Sequence, residues 1–145
     1  VLYFWDPGCG HCKKETPKLE KLYTQKLKDR NVEVFAVGKA TGDDFKDWKK
    51  FIKDKKLSFI NVGLTEEIYQ IAKTDLDKIY PSKTTAESLN YQTVYDIFST
   101  PRVWILDKDK KIIGKGLSIS QIETFLDQLQ GFEDAEKIIT ETKKE

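Results

Sequence analysis

The sequence predicts an α/β fold. Three observations carry this. The chain opens on the continuous apolar run Val1-Leu2-Tyr3-Phe4, the pattern of a strand buried on both faces. Further strand-like runs, Val32–Gly38, Val103–Leu106 and Lys111–Gly114, are separated by stretches in which apolar residues recur at helical spacing. At 145 residues, with 39% hydrophobic and 12% aromatic content, the chain is long enough to build one proper core.

The elements follow in order. After the first strand, Asp6-Pro7-Gly8 is a turn signal. From His11 to about Asp29 the pattern is helical, with Leu19, Leu22, Tyr23 and Leu27 on one face and Pro17 inside it, where a kink is expected. Val32–Gly38 is the second strand. Residues 43–55 form a helix with Phe45, Trp48 and Ile52 inward, and Asp43 and Asp44 at its positive end. Ser58–Val62 is a short run able to add an edge strand. Thr65-Glu66-Glu67 opens a helix with Ile68, Ile71, Ala72, Leu76 and Ile79 at helical spacing, closed by Pro81. Asn90–Phe98 reads as helical, with Val94, Ile97 and Phe98 inward. Val103–Leu106 and Lys111–Gly114 make a hairpin around Asp107–Lys110. Ser118 or Ser120 caps a last helix with Ile122, Phe125, Leu126 and Leu129 inward, ended by Gly131. Residues 132–145 read as a charged tail, with helical character around Ala135–Ile139.

The chemistry centres on Cys9-Gly10-His11-Cys12, set between the first strand and the first helix. Both sulfurs then fall on the first helical turn, where unpaired backbone N–H groups favour negative charge. That placement stabilises a thiolate, the nucleophilic form of cysteine. Thiols three residues apart on such a turn can close to a disulfide and reopen, so the implied chemistry is thiol–disulfide exchange. Zinc needs four ligands, and the chain holds two Cys and one His, with the His between the cysteines. A purely structural disulfide would close a tiny loop and stabilise little.

Val1–Trp5 followed by Cys9-Gly10-His11-Cys12 resembles the thioredoxin superfamily over roughly residues 1–62 and 90–130. Lys13-Lys14-Glu15-Thr16-Pro17 resembles one branch, the exported bacterial thioredoxin-like proteins of cytochrome c maturation and related thiol reduction. That branch carries a Glu and a Pro where Glu15 and Pro17 stand. The Gly-His dipeptide is instead the one found in protein disulfide isomerase. The resemblance implies a thioredoxin-like three-layer α/β/α sandwich with a mixed central sheet, in strand order 32–38, 1–5, 102–107, 111–116. It leaves open whether 58–62 covers the outer edge. A domain over residues 1–131 is expected, with 64–89 as a helical insertion. That insertion is either a surface extension or a wall beside the active site that selects partners.

The same resemblance implies the roles. Cys9 attacks a substrate disulfide and Cys12 resolves the mixed disulfide. His11, when protonated, stabilises the Cys9 thiolate, and Glu15 accepts the Cys12 proton. Thioredoxin itself has a buried Asp where Tyr3 stands, which makes Glu15 the expected carboxylate here. Pro101 is expected to be cis and to face the cysteines. Thr100 offers its backbone to an extended substrate, and Trp5 packs beneath the motif on the substrate side.

The expected activity is a thiol–disulfide oxidoreductase that reduces disulfides of exported proteins. An oxidase or isomerase, and a redox-sensing docking module without turnover, are the alternatives. No metal, flavin or nucleotide signature appears, so the expected partners are protein thiol or disulfide substrates and a reducing protein. The net charge of +1, from 25 basic and 24 acidic residues, gives no field for nucleic acid. The 34% charged content is spread along the chain as solvated helix faces. No stretch reaches the apolar length of a membrane span. The chain lacks methionine and begins inside a strand. The natural protein is therefore expected to start earlier, with a signal peptide, a membrane anchor or a further domain. The resemblance to the exported branch implies a place in the periplasm or cell envelope.

Overall fold

Strand β1 (Leu2–Trp5) lies at the centre of a five-stranded mixed sheet. A computed structural model describes residues 1–39, 42–78, 80 and 85–142. Strand β2 (Phe35–Gly38) runs parallel to β1, with Leu2 opposite Phe35 and Trp5 opposite Gly38. Strand β3 (Ile60–Gly63) runs parallel to β2 and covers its outer edge, so the Ser58–Val62 run does complete the sheet. On the other side, β4 (Arg102–Leu106) and β5 (Ile112–Leu117) form the antiparallel hairpin. The order is β3-β2-β1-β4-β5.

Side-chain alternation along β1 feeds two cores. Tyr3 and Trp5 point to the face covered by α1 (Gly10–Leu22), α2 (Asp43–Asp54) and α6 (Ile119–Thr142), joining Leu19, Leu27, Ala36, Val103, Ile105 and Ile122. Phe4 points the other way and packs with Ile97 and Trp104. Two glycines at strand ends have a packing reason. The Trp48 indole of α2 lies across Gly38 and Gly63, and a Cβ on Gly38 would come within 2.2 Å of the indole Nε1.

Four expectations about elements change. The first helix is regular only to Leu22. It widens into a π turn over Tyr23–Leu27 and tightens into a 3₁₀ turn over Lys28–Arg30, closed by Asn31 at φ 57°. The wide turn keeps Tyr23 and Leu27 buried, which a continuous α-helix ending in solvent would not require.

The 65–81 helix is shorter than its periodicity. Thr65 caps α3 (Glu66–Thr74), accepting the Ile68 N–H at 3.3 Å, and the chain leaves α geometry at Asp75. A 3₁₀ turn over Leu76–Lys78 follows, then the one-turn helix α4 (Ala86–Leu89). Ile79 and Pro81 lie outside the described residues.

Only one turn forms after Asn90, as α5 (Tyr91–Val94). Asp96 adopts φ 54°, which stops the helix. Tyr91 and Tyr95 take the inward places against Phe4, so Ile97 is buried while Val94 is 54% and Phe98 90% exposed.

Finally, Gly131 does not end α6, which continues to Thr142. A mid-helix glycine costs only about 1 kcal/mol, and the residues beyond it include good helix formers that remain exposed in this helix. At its start, the Ser118 N–H donates to Gln121 Oε1 at 2.9 Å, half of a capping box. No helix among the described residues is long and apolar enough to cross a membrane.

Candidate active site

The site is built at the C-terminal end of β1. Asp6, Pro7 and Gly8 turn the chain, with the Cys9 N–H donating to the Asp6 carbonyl at 3.1 Å and the Gly8 N–H to Asp6 Oδ1 at 2.6 Å. Pro presets φ, Asp closes on its own turn, and Gly adds no side chain to the tight loop. Helix α1 then starts at Gly10 with Cys9 as its N-cap. The Cys9 sulfur takes the place usually held by a hydroxyl or carboxylate and accepts the Cys12 N–H at 3.1 Å.

The two thiols are inequivalent. Cys9 is half-buried and Cys12 fully buried, both as free thiols. Partial burial works to raise the Cys9 thiol. Hydrogen bonds from the Cys12 thiol, the Cys12 N–H, the Thr100 side chain and the His11 N–H outweigh it and hold the thiol below its ordinary value. Burial, joined by the neighbouring Cys9, pushes the Cys12 thiol up to about 12. One sulfur is therefore an accessible incipient thiolate, and its neighbour a protonated reserve.

Thr100 and Pro101 close the site from the loop before β4. Their peptide bond is cis. The Thr100 carbonyl lies 3.5 Å from Cys9 Sγ, across 91 positions of sequence. The Thr100 side chain favours the ionised form of both thiols. Backbone from the two sides of the sheet thus meets at the reactive sulfur.

Under the site is a pair of hydroxyls that the sequence reading did not single out. Thr16, fully buried one turn after Cys12, donates to the Cys12 carbonyl at 2.7 Å. With its single proton so used, Thr16 Oγ1 is the acceptor for the Tyr3 hydroxyl at 2.9 Å. Burial raises the Tyr3 phenol, which keeps it neutral. Helical spacing from Cys12 put Thr16 on the same face, but a lone threonine in an otherwise charged stretch carries no further signal.

The remaining expected residues fall as follows. The His11 side chain is exposed, and its backbone N–H is among the donors that lower the Cys9 thiol. Glu15 pairs with Lys18 at 2.6 Å on the surface of α1, beside a hollow shared with His11, Leu22, Ile119 and Glu123. It makes no hydrogen bond to either sulfur. Trp5 is fully buried and tilts against Phe51 of α2. It is thus part of the floor, out of reach of a bound substrate. The segment after β3 borders a different hollow, of about 910 Å³, where Ile68, Tyr69 and Ala72 face Phe4, Val37 and Val62. Neither cysteine lines it.

An inequivalent dithiol at a helix N-terminus, facing backbone next to a cis-proline on a mixed sheet, defines a thiol–disulfide oxidoreductase. The family model described as thioredoxin-like matches residues 1–112. The chain belongs to this thioredoxin-like family. Among solved structures, it is similar to the thioredoxin domain of a thiol-disulfide oxidoreductase from Bacteroides vulgatus, with 25% identity, a TM-score of 0.63, and coverage of 88% of this chain and 76% of that one. A thiol:disulfide interchange protein from a Bacteroides species matches at 25% identity and TM-score 0.60, covering 88% and 69%. StoA from Bacillus subtilis shares the fold at 22% identity and TM-score 0.56, covering 86% and 79%. No curated protein matches the sequence.

Proposed function

We propose that the protein reduces disulfides of exported proteins, with Cys9 as nucleophile and Cys12 as resolving thiol. The difference in exposure and acidity between the two sulfurs carries this reading. Cys9 thiolate attacks one sulfur of a substrate disulfide. A Cys9–substrate bond forms, the substrate S–S bond breaks, and the departing thiolate takes a proton from solvent. Cys12 then loses its proton and attacks Cys9 Sγ. The Cys9–Cys12 disulfide closes, and the second substrate thiolate leaves. Two electrons have moved from the dithiol to the substrate, and a reducing protein restores the dithiol. Thr100 and Pro101 seat the substrate strand, with Tyr3 and Thr16 holding the backbone of Cys12 beneath it. Glu15 acts on the Cys12 proton only through solvent, since it makes no hydrogen bond to that sulfur.

The location in the periplasm or cell envelope rests on the resemblance carried by Glu15 and Pro17. The domain span of 1–131 and the reading of 64–89 as an insertion rest on the wider resemblance to the thioredoxin superfamily over roughly 1–62 and 90–130. A competing direction, oxidation or isomerisation, is favoured by the hydrogen bonds that stabilise the Cys9 thiolate, because a stabilised reduced form makes the disulfide more oxidising. The reduction potential separates the two. A value near about −270 mV supports the reductase, and one between about −120 and −180 mV overturns it in favour of the oxidase or isomerase.

A further inference from the structure

Phe98 is the most exposed large hydrophobic residue among the described residues, at 90%. Single apolar residues on a surface are ordinary, so its surroundings matter more than its exposure. The loop beneath it is tied down on both sides. Ile97, the preceding residue, is buried against Phe4 and Trp104. Asp96 pairs with Lys115 of β5 at 2.5 Å. On the far side, Arg102 donates to the Ser99 hydroxyl at 2.7 Å. The Phe98 N–H itself is bonded to the Asp96 carbonyl at 3.2 Å. A loop this anchored holds its phenyl ring in water with nothing of its own chain covering it.

The position also falls beside the chemistry. Phe98 is two residues before Thr100, whose carbonyl lies 3.5 Å from Cys9 Sγ. Two Cα steps span at most about 7 Å, which puts the Phe98 Cα within about 13 Å of the reactive sulfur. An extended peptide advances about 3.3 Å per residue. A side chain three or four residues from a cystine seated at Cys9 lies about 10–13 Å along the strand, a reach that matches this upper limit.

Building on the disulfide-exchange reading, we propose that Phe98 is a specificity-determining residue. It selects polypeptide disulfides that carry an aliphatic or aromatic side chain three or four residues from the attacked cysteine. The ring takes no part in the sulfur chemistry. Its contact removes apolar surface from water only when such a side chain is present. Partial cover of a phenyl ring and an aliphatic partner corresponds to about a tenfold gain in apparent affinity.

The test uses two peptide disulfides that differ only by Leu or Ser three residues from the cysteine. The whole chain is assayed with dithiothreitol as reductant. The wild-type protein is expected to have about a tenfold lower KM for the Leu peptide at similar kcat. Phe98→Ser is expected to bring the two KM values together by raising that for the Leu peptide, and Phe98→Leu to restore most of the difference. A Leu preference that survives in Phe98→Ser overturns the proposal, as does equal loss of kcat on both peptides. A concentration-dependent dimer that dissociates in Phe98→Ser also overturns it, by assigning the ring to a second copy. Failure of the wild-type protein to reduce either peptide would instead strike the disulfide-exchange reading itself.

Discussion

At the scale of single residues, what sets the nucleophile is a ring of hydrogen-bond donors, led by the Cys12 thiol. Partial burial disfavours the Cys9 thiolate, but donors gathered around the sulfur outweigh it, and the one contributed by His11 is its N–H. This separates two substitutions that would look alike if the imidazole mattered. His11→Ala keeps the N–H, so the pH profile of Cys9 alkylation is expected to stay where it is. His11→Pro removes the donor at a helical position where proline is tolerated, and the profile is expected to move to higher pH. The sign follows from ionisation. Alkylation rises with pH through the pKa of Cys9, which hydrogen bonds hold below its ordinary value, while Cys12, with its pKa near 12, stays protonated. Peptide mapping after brief alkylation at a series of pH values measures both sulfurs at once. A profile that shifts in His11→Ala would return the role to the imidazole.

At the scale of elements, the packing of α2 on the sheet is the most exposed to a small change. Gly38 ends β2 under the Trp48 ring, and the same indole rests on Gly63 of β3. Gly38→Ala forces the ring or the helix to move and is expected to cost about 1–3 kcal/mol, read as a lower urea midpoint with the slope unchanged. An unchanged midpoint would mean that α2 rides loosely on the sheet. The strands were legible because Val1–Phe4 and Val103–Leu106 are short continuous apolar runs, and Val32–Gly38 is one but for Glu33, each rich in β-branched or aromatic residues. Helix ends were less so. Asp96 and Asn31 break or close helices by adopting positive φ, a backbone choice that hydrophobic spacing does not reveal. Gly131 looked like a stop and is passed through, because an exposed helix loses little at one glycine. The cysteines were found by spacing alone, and Thr100 with Pro101 by resemblance. Tyr3 with Thr16 depended on a contact between strand and helix that no local pattern records.

At the scale of the whole molecule, the two sheet faces separate duties. The cysteines belong with the core under α1, α2 and α6. Residues of the 64–89 segment instead border the hollow over Phe4, Val37 and Val62. Replacing 64–89 by a short linker is therefore expected to leave reduction of a protein disulfide such as insulin within about twofold of the full chain, since long loops are tolerated cheaply. A large loss on insulin, with the fold intact by circular dichroism, would make the segment a partner-selecting wall. The central claim is the division of labour between an open and a buried sulfur. It is tested most directly by mixing Cys12→Ser and Cys9→Ser, each separately, with a disulfide-bearing protein and counting mixed disulfides on a non-reducing gel. Cys12→Ser is expected to accumulate the Cys9–substrate adduct, because the resolving thiol is gone, and Cys9→Ser to accumulate none. Accumulation in Cys9→Ser, with Cys12→Ser clear, would contradict the assignment.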